Sequence, residues 1–195
     1  MNPLRQINYL ALDLELNTDG YQTYEICEIG IAIGNPSEII LTDSKVIKIT
    51  QPLFPKTTEI TGITQGEIDN GITLKEAASW LTNLIETYKP FTNPVTWGLG
   101  DSQELLQTFR ENQIHFPFFG RRIIDVKHFF LFIEAANGRA LSGGLRSAMN
   151  KHKLKFLGTP HRAESDAENT LRLFFHLLKR QRKLEEMIIM SKQLS

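Results

Sequence analysis

Ten residues near the start of the chain, Ile7-Asn-Tyr-Leu-Ala-Leu-Asp-Leu-Glu-Leu16, alternate strictly: Leu10, Leu12, Leu14 and Leu16 take one parity, Tyr9, Ala11, Asp13 and Glu15 the other. A period of two is the mark of a β-strand whose successive side chains point to opposite faces of a sheet. A face of four leucines has to be buried, so the strand belongs inside a sheet rather than at its wet edge. Asp13 and Glu15 then share the other face, one pleat apart. Unneutralised carboxylates that close repel one another. A hard divalent cation relieves the repulsion, and Mg²⁺ commonly takes one or two protein carboxylates while keeping waters and phosphate oxygens. The alternative is a solvated outer face that holds two ordinary surface acids.

The tripeptide alone decides little. Seven Asp and 15 Glu among 195 residues give about half an Asp-x-Glu per chain at random, and a second one does occur, Asp166-Ala-Glu168. That copy falls in a helical pattern, where residues two apart lie on different faces, so it cannot grip one ion as the strand pair can. Two further acids stand out. Asp101 follows the apolar run Val95-Thr-Trp97 and two glycines, and with Glu104 it also suits a helix cap and capping box. Asp166 lies five residues after His161, and it too suits a first helical turn, with Ser165 and Glu168 as a capping box. Each has a purely structural reading when taken singly; the joint pattern points to a two-metal phosphodiesterase site.

The order and spacing of these segments resemble the DEDDh-type 3′→5′ exonucleases of the DnaQ-like superfamily. Asp13-Leu-Glu15 resembles the first motif, Trp97-Gly-Leu-Gly-Asp101 the second, and His161-Arg-Ala-Glu-Ser-Asp166 the third. Glu59-Ile-Thr-Gly-Ile-Thr-Gln65, followed by Ile68-Asp69, resembles the "LTGIT" segment of the branch that contains the histone-mRNA 3′-end and enhanced-RNAi exonucleases. The likeness runs from about residue 8 to about residue 180. It implies a ribonuclease H-like fold, Asp13, Glu15, Asp101 and Asp166 as ligands of two divalent cations, Mg²⁺ or Mn²⁺, and His161 as general base. It also implies that Glu15 contacts the terminal 3′ hydroxyl and that Thr61, Gly62 and Ile63 border the last nucleotide. Arg162, beside the histidine, is a candidate for a phosphate contact. The substrate class implied is single-stranded nucleic-acid 3′ ends, RNA ahead of DNA, with nucleoside 5′-monophosphates as products. The competing class is a non-catalytic nucleic-acid-binding or scaffold protein on the same fold, against which all five motif positions carry the expected residue type.

Composition sets bounds on this. At 195 residues and 41% hydrophobic, the chain suffices for one substantial domain, 1–195, with a core over about 7–180 and a C-terminal helical extension. Its formal net charge is zero, unlike that of a non-specific duplex binder, so affinity has to come from a local patch or from metals. Cys27, the only cysteine, excludes an intrachain disulfide and reads as a packed core thiol. No stretch approaches the ~18 apolar residues of a membrane span, and the N-terminus lacks a secretory pattern, so a cytoplasmic protein is expected.

The remaining pattern predicts strands at 7–16, 24–33, 45–50, 94–97 and 122–126, with a break at Asn35-Pro36-Ser37. Helices are predicted at about 73–88, 101–112, 128–136, 142–152 and 164–190, and residues 51–70 read as a loop with short helical turns. Three strands followed by alternating helix and strand give an α/β protein, a mixed five-stranded sheet flanked by helices. The run Phe129-Phe130-Leu-Phe132 is assigned to the core rather than to base stacking. Lys151, His152, Lys153 and Lys155 are assigned to a solvated helix end. The apolar tip Met187-Ile-Ile-Met190 suits either a second subunit or a fold-back.

Overall fold

The leucine-alternating segment is the middle strand of the sheet. In the computed structural model, which describes residues 7–20, 24–119 and 122–193, β1 (Tyr9–Thr18) pairs antiparallel with β2 (Tyr24–Asn35), and β2 pairs antiparallel with β3 (Glu38–Val46). On its other side β1 runs parallel to β4 (Val95–Thr96), and β4 runs parallel to β5 (Ile124–Asp125), giving the order β3-β2-β1-β4-β5. The third strand lies earlier than the predicted 45–50. Pro36 and Ser37 make a tight turn, the Ser37 N–H donating to Asn35 Oδ1 at 2.9 Å, so β3 starts at once as an edge strand with polar residues on its open side.

Helices cover both faces. α1 (Pro55–Thr61) and α2 (Gln65–Asp69) are the short turns expected in 51–70, and α3 (Leu74–Tyr88) and α4 (Gly100–Glu111) follow. α3 begins with a capping box between Thr73 and Glu76 and stops at Lys89, which takes a left-handed conformation just before Pro90. α5 (Val126–Ala136), α6 (Leu145–Lys151) and α7 (Ala163–Gln193) complete the chain. None of the helices among the described residues is long and apolar enough to cross a membrane.

The two parities of β1 feed two cores. Leu10, Leu12 and Leu14 pack with Leu81, Leu105 and Phe109 from α3 and α4. Tyr9 and Ala11 pack with Phe130, Met149, Leu171 and Phe174 from α5, α6 and α7. Each such fully buried side chain contributes roughly 1.5–3 kcal/mol, and together they fix which way the odd residues of β1 face. Asp13 and Glu15 share the parity of Tyr9 and Ala11, so both look toward α7.

The start of α7 comes unusually close to the sheet, and Gly30 is the reason. Gly30 is the register partner of Asp13, and a Cβ placed on it would collide with the Ala163 carbonyl group and the Glu164 amide. Backbone packs on backbone there, with no flexible side chain to yield. Gly30→Ala is expected to cost about 3 kcal/mol or more by overpacking and to pull the start of α7 off the sheet. Urea unfolding monitored by circular dichroism checks this; a variant with the wild-type midpoint would show that α7 does not depend on the approach.

Candidate active site

β1 delivers two carboxylates and then bends. Pairing runs from Asp13 with Gly30 to Glu15 with Glu28, then skips to Leu16 with Ile26, so Cys27 is the extra residue of a bulge. The Cys27 thiol donates to the Glu15 carbonyl at 3.2 Å, and burial pushes its pKa up to about 12, so it holds the bulge as an inert thiol. Past the bulge, the buried Asn17 accepts from the Phe54 N–H at 2.8 Å and donates to the Pro52 carbonyl at 3.1 Å, which anchors the approach to α1.

Asp101 arrives from the end of β4. The Thr96 hydroxyl donates to the Gly98 carbonyl at 2.6 Å, Gly98 takes φ 110°, and α4 opens with Leu99 at the cap position and no side-chain cap. The capping box considered for Asp101 and Glu104 is not formed; the Glu104 carboxylate accepts from Thr108 at 3.2 Å instead. Asp101 sits in the first turn, turned toward the other acids.

Asp166 and His161 are joined through backbone. The His161 N–H donates to Asp166 Oδ2 at 2.9 Å, and His161 itself is left-handed, at φ 61°. For a residue with a side chain that conformation costs about 1–3 kcal/mol and survives only where surrounding bonds dictate it. Here they do. Asn169, fully buried, donates to the Leu157 and Ser165 carbonyls and accepts the Leu157 N–H, while Ser165 Oγ accepts the Thr159 N–H at 3.1 Å. Ser165 therefore serves the loop rather than a capping box with Glu168. The imidazole is exposed, and one ligand atom from each of Glu15, His161 and Asp166 lies within 4.8 Å of the others.

The carboxylates are crowded and short of positive charge. Burial, then the charges of Asp101, Asp166, Glu15 and Glu28, hold the Asp13 carboxyl well above the usual range. Burial and the neighbouring acids push Glu15 up to about 8, and burial, Asp125 and Asp166 push Asp101 up to about 7. Asp166 is raised as well, mainly by burial, against the lowering hydrogen bond from the His161 amide. Among the described residues no Lys or Arg forms an ion pair with any of these four. All-oxygen donors that are hard, anionic and mutually repelling fit a divalent cation such as Mg²⁺ or Mn²⁺.

Arg162 has another task. Its Nη2 lies 2.9 Å from Oε1 of Glu28, its Nε 3.2 Å from both Glu28 oxygens, and its Nη1 3.3 Å from Glu67. The guanidinium thus ties β2, α2 and the start of α7 together. In the loop between α1 and α2, Thr61 and Ile63 are buried, the Thr61 hydroxyl bridging the Thr57 carbonyl and the Ile63 N–H; only Gly62 of the three is open. Lys151 is exposed at the end of α6 and pairs with the buried Glu134, whereas His152 is buried and does not belong to the solvated helix end.

Two acids that the sequence reading passed over adjoin the site. Glu28 is fully buried in the apolar-rich run Ile26 to Ile33 of β2, and a charge in such a run signals a partner. Asp125, at the end of β5, accepts the His128 N–H at 3.1 Å as the cap of α5, and its charge bears on Asp101. Its position directly before a helical pattern suits a cap, and nothing local ties it to the other acids.

A sheet of this order, which gathers acids from its central strand and from the starts of two helices beside an open histidine, defines a ribonuclease H-like nuclease. The sequence matches the Exonuclease (RNase_T) family over residues 10–174, and the chain belongs to that family. It is a DEDDh-type 3′→5′ exonuclease of the DnaQ-like superfamily, and membership of the family implies dependence on divalent metal ions. The fold is similar to the nuclease domain of 3′hExo, a DEDDh family member bound to rAMP, with TM-score 0.77 and 19% identity over 89% of this chain and 92% of that one. It is also similar to cell-death related nuclease 4 (CRN-4), with TM-score 0.79 and 20% identity over 89% of this chain and 64% of that one. S. pombe Pop2p in its Mg²⁺- and Mn²⁺-bound form gives TM-score 0.65 and 17% identity over 88% and 83%. No curated protein shows a significant sequence match.

The raised carboxyls have a thermodynamic consequence. An acid whose folded pKa lies above its unfolded value keeps a proton that the unfolded chain has lost, so stability falls as pH rises through the folded value. The lowered histidines, His152 and His176, act below about pH 7, where the unfolded imidazole still titrates. Between pH 7 and 8 the acid cluster therefore dominates, below the range where the raised Cys27 thiol, free at about 8.5 in the unfolded chain, adds a loss of the same sign. In chelator, Tm is expected to drop by a few °C over that window, on the order of 1 kcal/mol, and Mn²⁺ or Glu15→Gln should flatten the drop. Differential scanning fluorimetry decides it; a flat profile in chelator would mean that the acids are not crowded.

Proposed function

We propose that this exonuclease removes nucleotides from single-stranded 3′ ends, RNA in preference to DNA, and releases nucleoside 5′-monophosphates. The observation that carries the reading is the convergence of Asp13, Glu15, Asp101 and Asp166 beside the exposed His161, with no Lys or Arg among the described residues ion-paired to them. The four carboxylates would hold two cations, Mg²⁺ or Mn²⁺, which when bound supply the positive charge that an in-line phosphoryl displacement needs.

The protein's own groups do the rest. His161 accepts the proton of the attacking water, the general-base role that histidine most often fills. Its exposure lets it reach a water and return the proton to solvent. Glu15, on the last regular step of β1 before the bulge, also accepts the terminal 3′ hydroxyl, which sets the direction of attack. Gly62, the open member of Thr61-Gly62-Ile63, borders the terminal nucleotide, and Arg162 positions the start of α7. Support for RNA comes from the "LTGIT"-like segment and from likeness to 3′hExo, whose nuclease domain binds rAMP, and to a 3′-exonuclease that recognises the histone mRNA stem-loop.

Asp13→Asn is expected to give a folded protein without activity. His161→Ala should lose on the order of 10² to 10⁴ in rate while keeping most affinity, the usual general-base contribution. Single-turnover rates set against binding by fluorescence anisotropy make the comparison, and a wild-type rate in His161→Ala would assign the imidazole to structure.

End chemistry is tested separately, on identical RNA and DNA 12-mers with plain or phosphorylated 3′ ends. Blocked strands should persist, plain RNA should decay faster than plain DNA, and chromatography should show 5′-monophosphates. Equal decay of blocked and plain strands would reject attack from the 3′ end. Faster decay of DNA would reject the sugar preference, which requires a contact to the 2′ hydroxyl.

A further inference from the structure

The aromatic run of α5 does not behave as its pattern suggests. Phe130 is fully buried against Trp97 and His152, whereas Phe129 is 51% exposed and Phe132 is 73% exposed. Val126, Phe130 and Glu134, each four residues apart, form the buried face of the helix. The two open rings lie away from it. Phe132 is three residues beyond Phe129 and four beyond His128, the spacings that make neighbours on a helix surface. His128 is anchored, its Nδ1 2.8 Å from Asp125 Oδ2, while its side chain is 64% exposed. Leu141, 60% exposed in the loop that follows α5, adds to the apolar surface.

This face starts at the site. Asp125, the last residue of β5, caps α5 and bears on Asp101 directly. At 1.5 Å per residue, Phe129 lies about 6 Å and Phe132 about 10 Å along the axis from Asp125. The face therefore leads away from the acids in a file: a cationisable imidazole, then one ring, then a second.

Resting on the exonuclease reading above, we propose that the His128, Phe129 and Phe132 face of α5 is a stacking platform for bases of the single strand upstream of the terminal nucleotide. Three observations favour nucleic acid as the occupant. The exposed groups are flat rings with π-faces, which accept any base, rather than aliphatic knobs. The exposed Lys127 supplies positive charge and His128 a ring N–H at the end nearest the acids, where a strand brings phosphates. The surface is continuous with the site that requires such a strand. A chain of zero net charge gains little affinity from a general basic field, so a local platform supplies a grip that net charge cannot.

The test uses oligonucleotides of two to eight residues, RNA and DNA, bound to the full chain carrying Asp13→Asn, with affinity read by fluorescence anisotropy. Without other substitutions, affinity should rise with length and then level off. Phe129→Ala and Phe132→Ala should each weaken the longer strands by about 5-fold or more, as expected for loss of one stacked base. Both should leave the dinucleotide unaffected, and Phe132→Tyr should restore the length dependence. Both positions are exposed, so circular dichroism and Tm should stay unchanged. An unaltered length dependence in the double Ala variant overturns the platform, and so does a change in sedimentation of that variant with oligonucleotide binding intact, which would assign the face to a protein partner. Because the readout is binding, these results stand apart from the activity of the wild-type chain: failure to degrade any strand counts against the exonuclease reading, and loss of length dependence alone counts for the platform.

Discussion

Glu28 is a carboxylate with no access to water, and the rest of the site depends on how it is satisfied. It accepts two arms of Arg162, the Ala163 N–H at 2.9 Å and the Ser44 hydroxyl at 3.2 Å. A buried ion pair of this kind adds little net stability, but removing one member leaves a charge stranded and costs about 3–5 kcal/mol. The start of α7 is therefore locked in one place on β2. The lock sits directly opposite Glu15 in register and two residues from Gly30, which pairs with Asp13 and where the two backbones touch. One turn further along α7, Asp166 then faces the acids of β1. Glu28 holds the scaffold at a point where an error of one ångström would separate the second half of the site from the first.

The acids themselves oppose folding. Asp13, Glu15, Asp101 and Asp166 all have raised carboxyl pKa values, with burial the first cause in each. Natural proteins accept such local penalties where function requires them and compensate elsewhere. Here the compensation is visible in the two cores that grip β1 from either face, and in the Asn17 and Asn169 hydrogen bonds that fix the flanking loops. Arg162 is near enough to lower Glu15, but its guanidinium is already engaged by Glu28 and Glu67, so the cluster stays open to a cation.

What the sequence made legible follows from periodicity and what it hid follows from distance. The parity of Leu10 to Leu16 told which side Asp13 and Glu15 share, because a strand has only two sides. The order of the motifs carried the family and the five-stranded α/β sheet. Local rules misled where the helix starts lie elsewhere: Asp101 and Ser165 have the residue types of caps, yet both fall inside a first helical turn, and Ser165 accepts the Thr159 N–H instead. The edge strand β3 was placed several residues late, since half-exposed strands lack a clean alternation. Glu28, Asp125 and the Arg162 clamp were out of reach because Glu28 and Arg162 are 134 positions apart, and nothing in either neighbourhood names the other.

The third motif also explains why its histidine and its aspartate, five residues apart, are not equivalent parts. Asp166 has two duties, since one of its oxygens holds the His161 amide and keeps that residue in a left-handed conformation that costs energy. Loss of its charge would let the loop relax and displace the imidazole, so a defect at Asp166 mixes chemistry with geometry. His161 contributes its backbone to the loop and its exposed side chain to solvent, and those parts are separable. Among the described residues the imidazole is placed by the path of the chain rather than by hydrogen bonds to the ring. A group that must take a proton and give it back in each turnover is best held that way, fixed at the Cα and open at the ring.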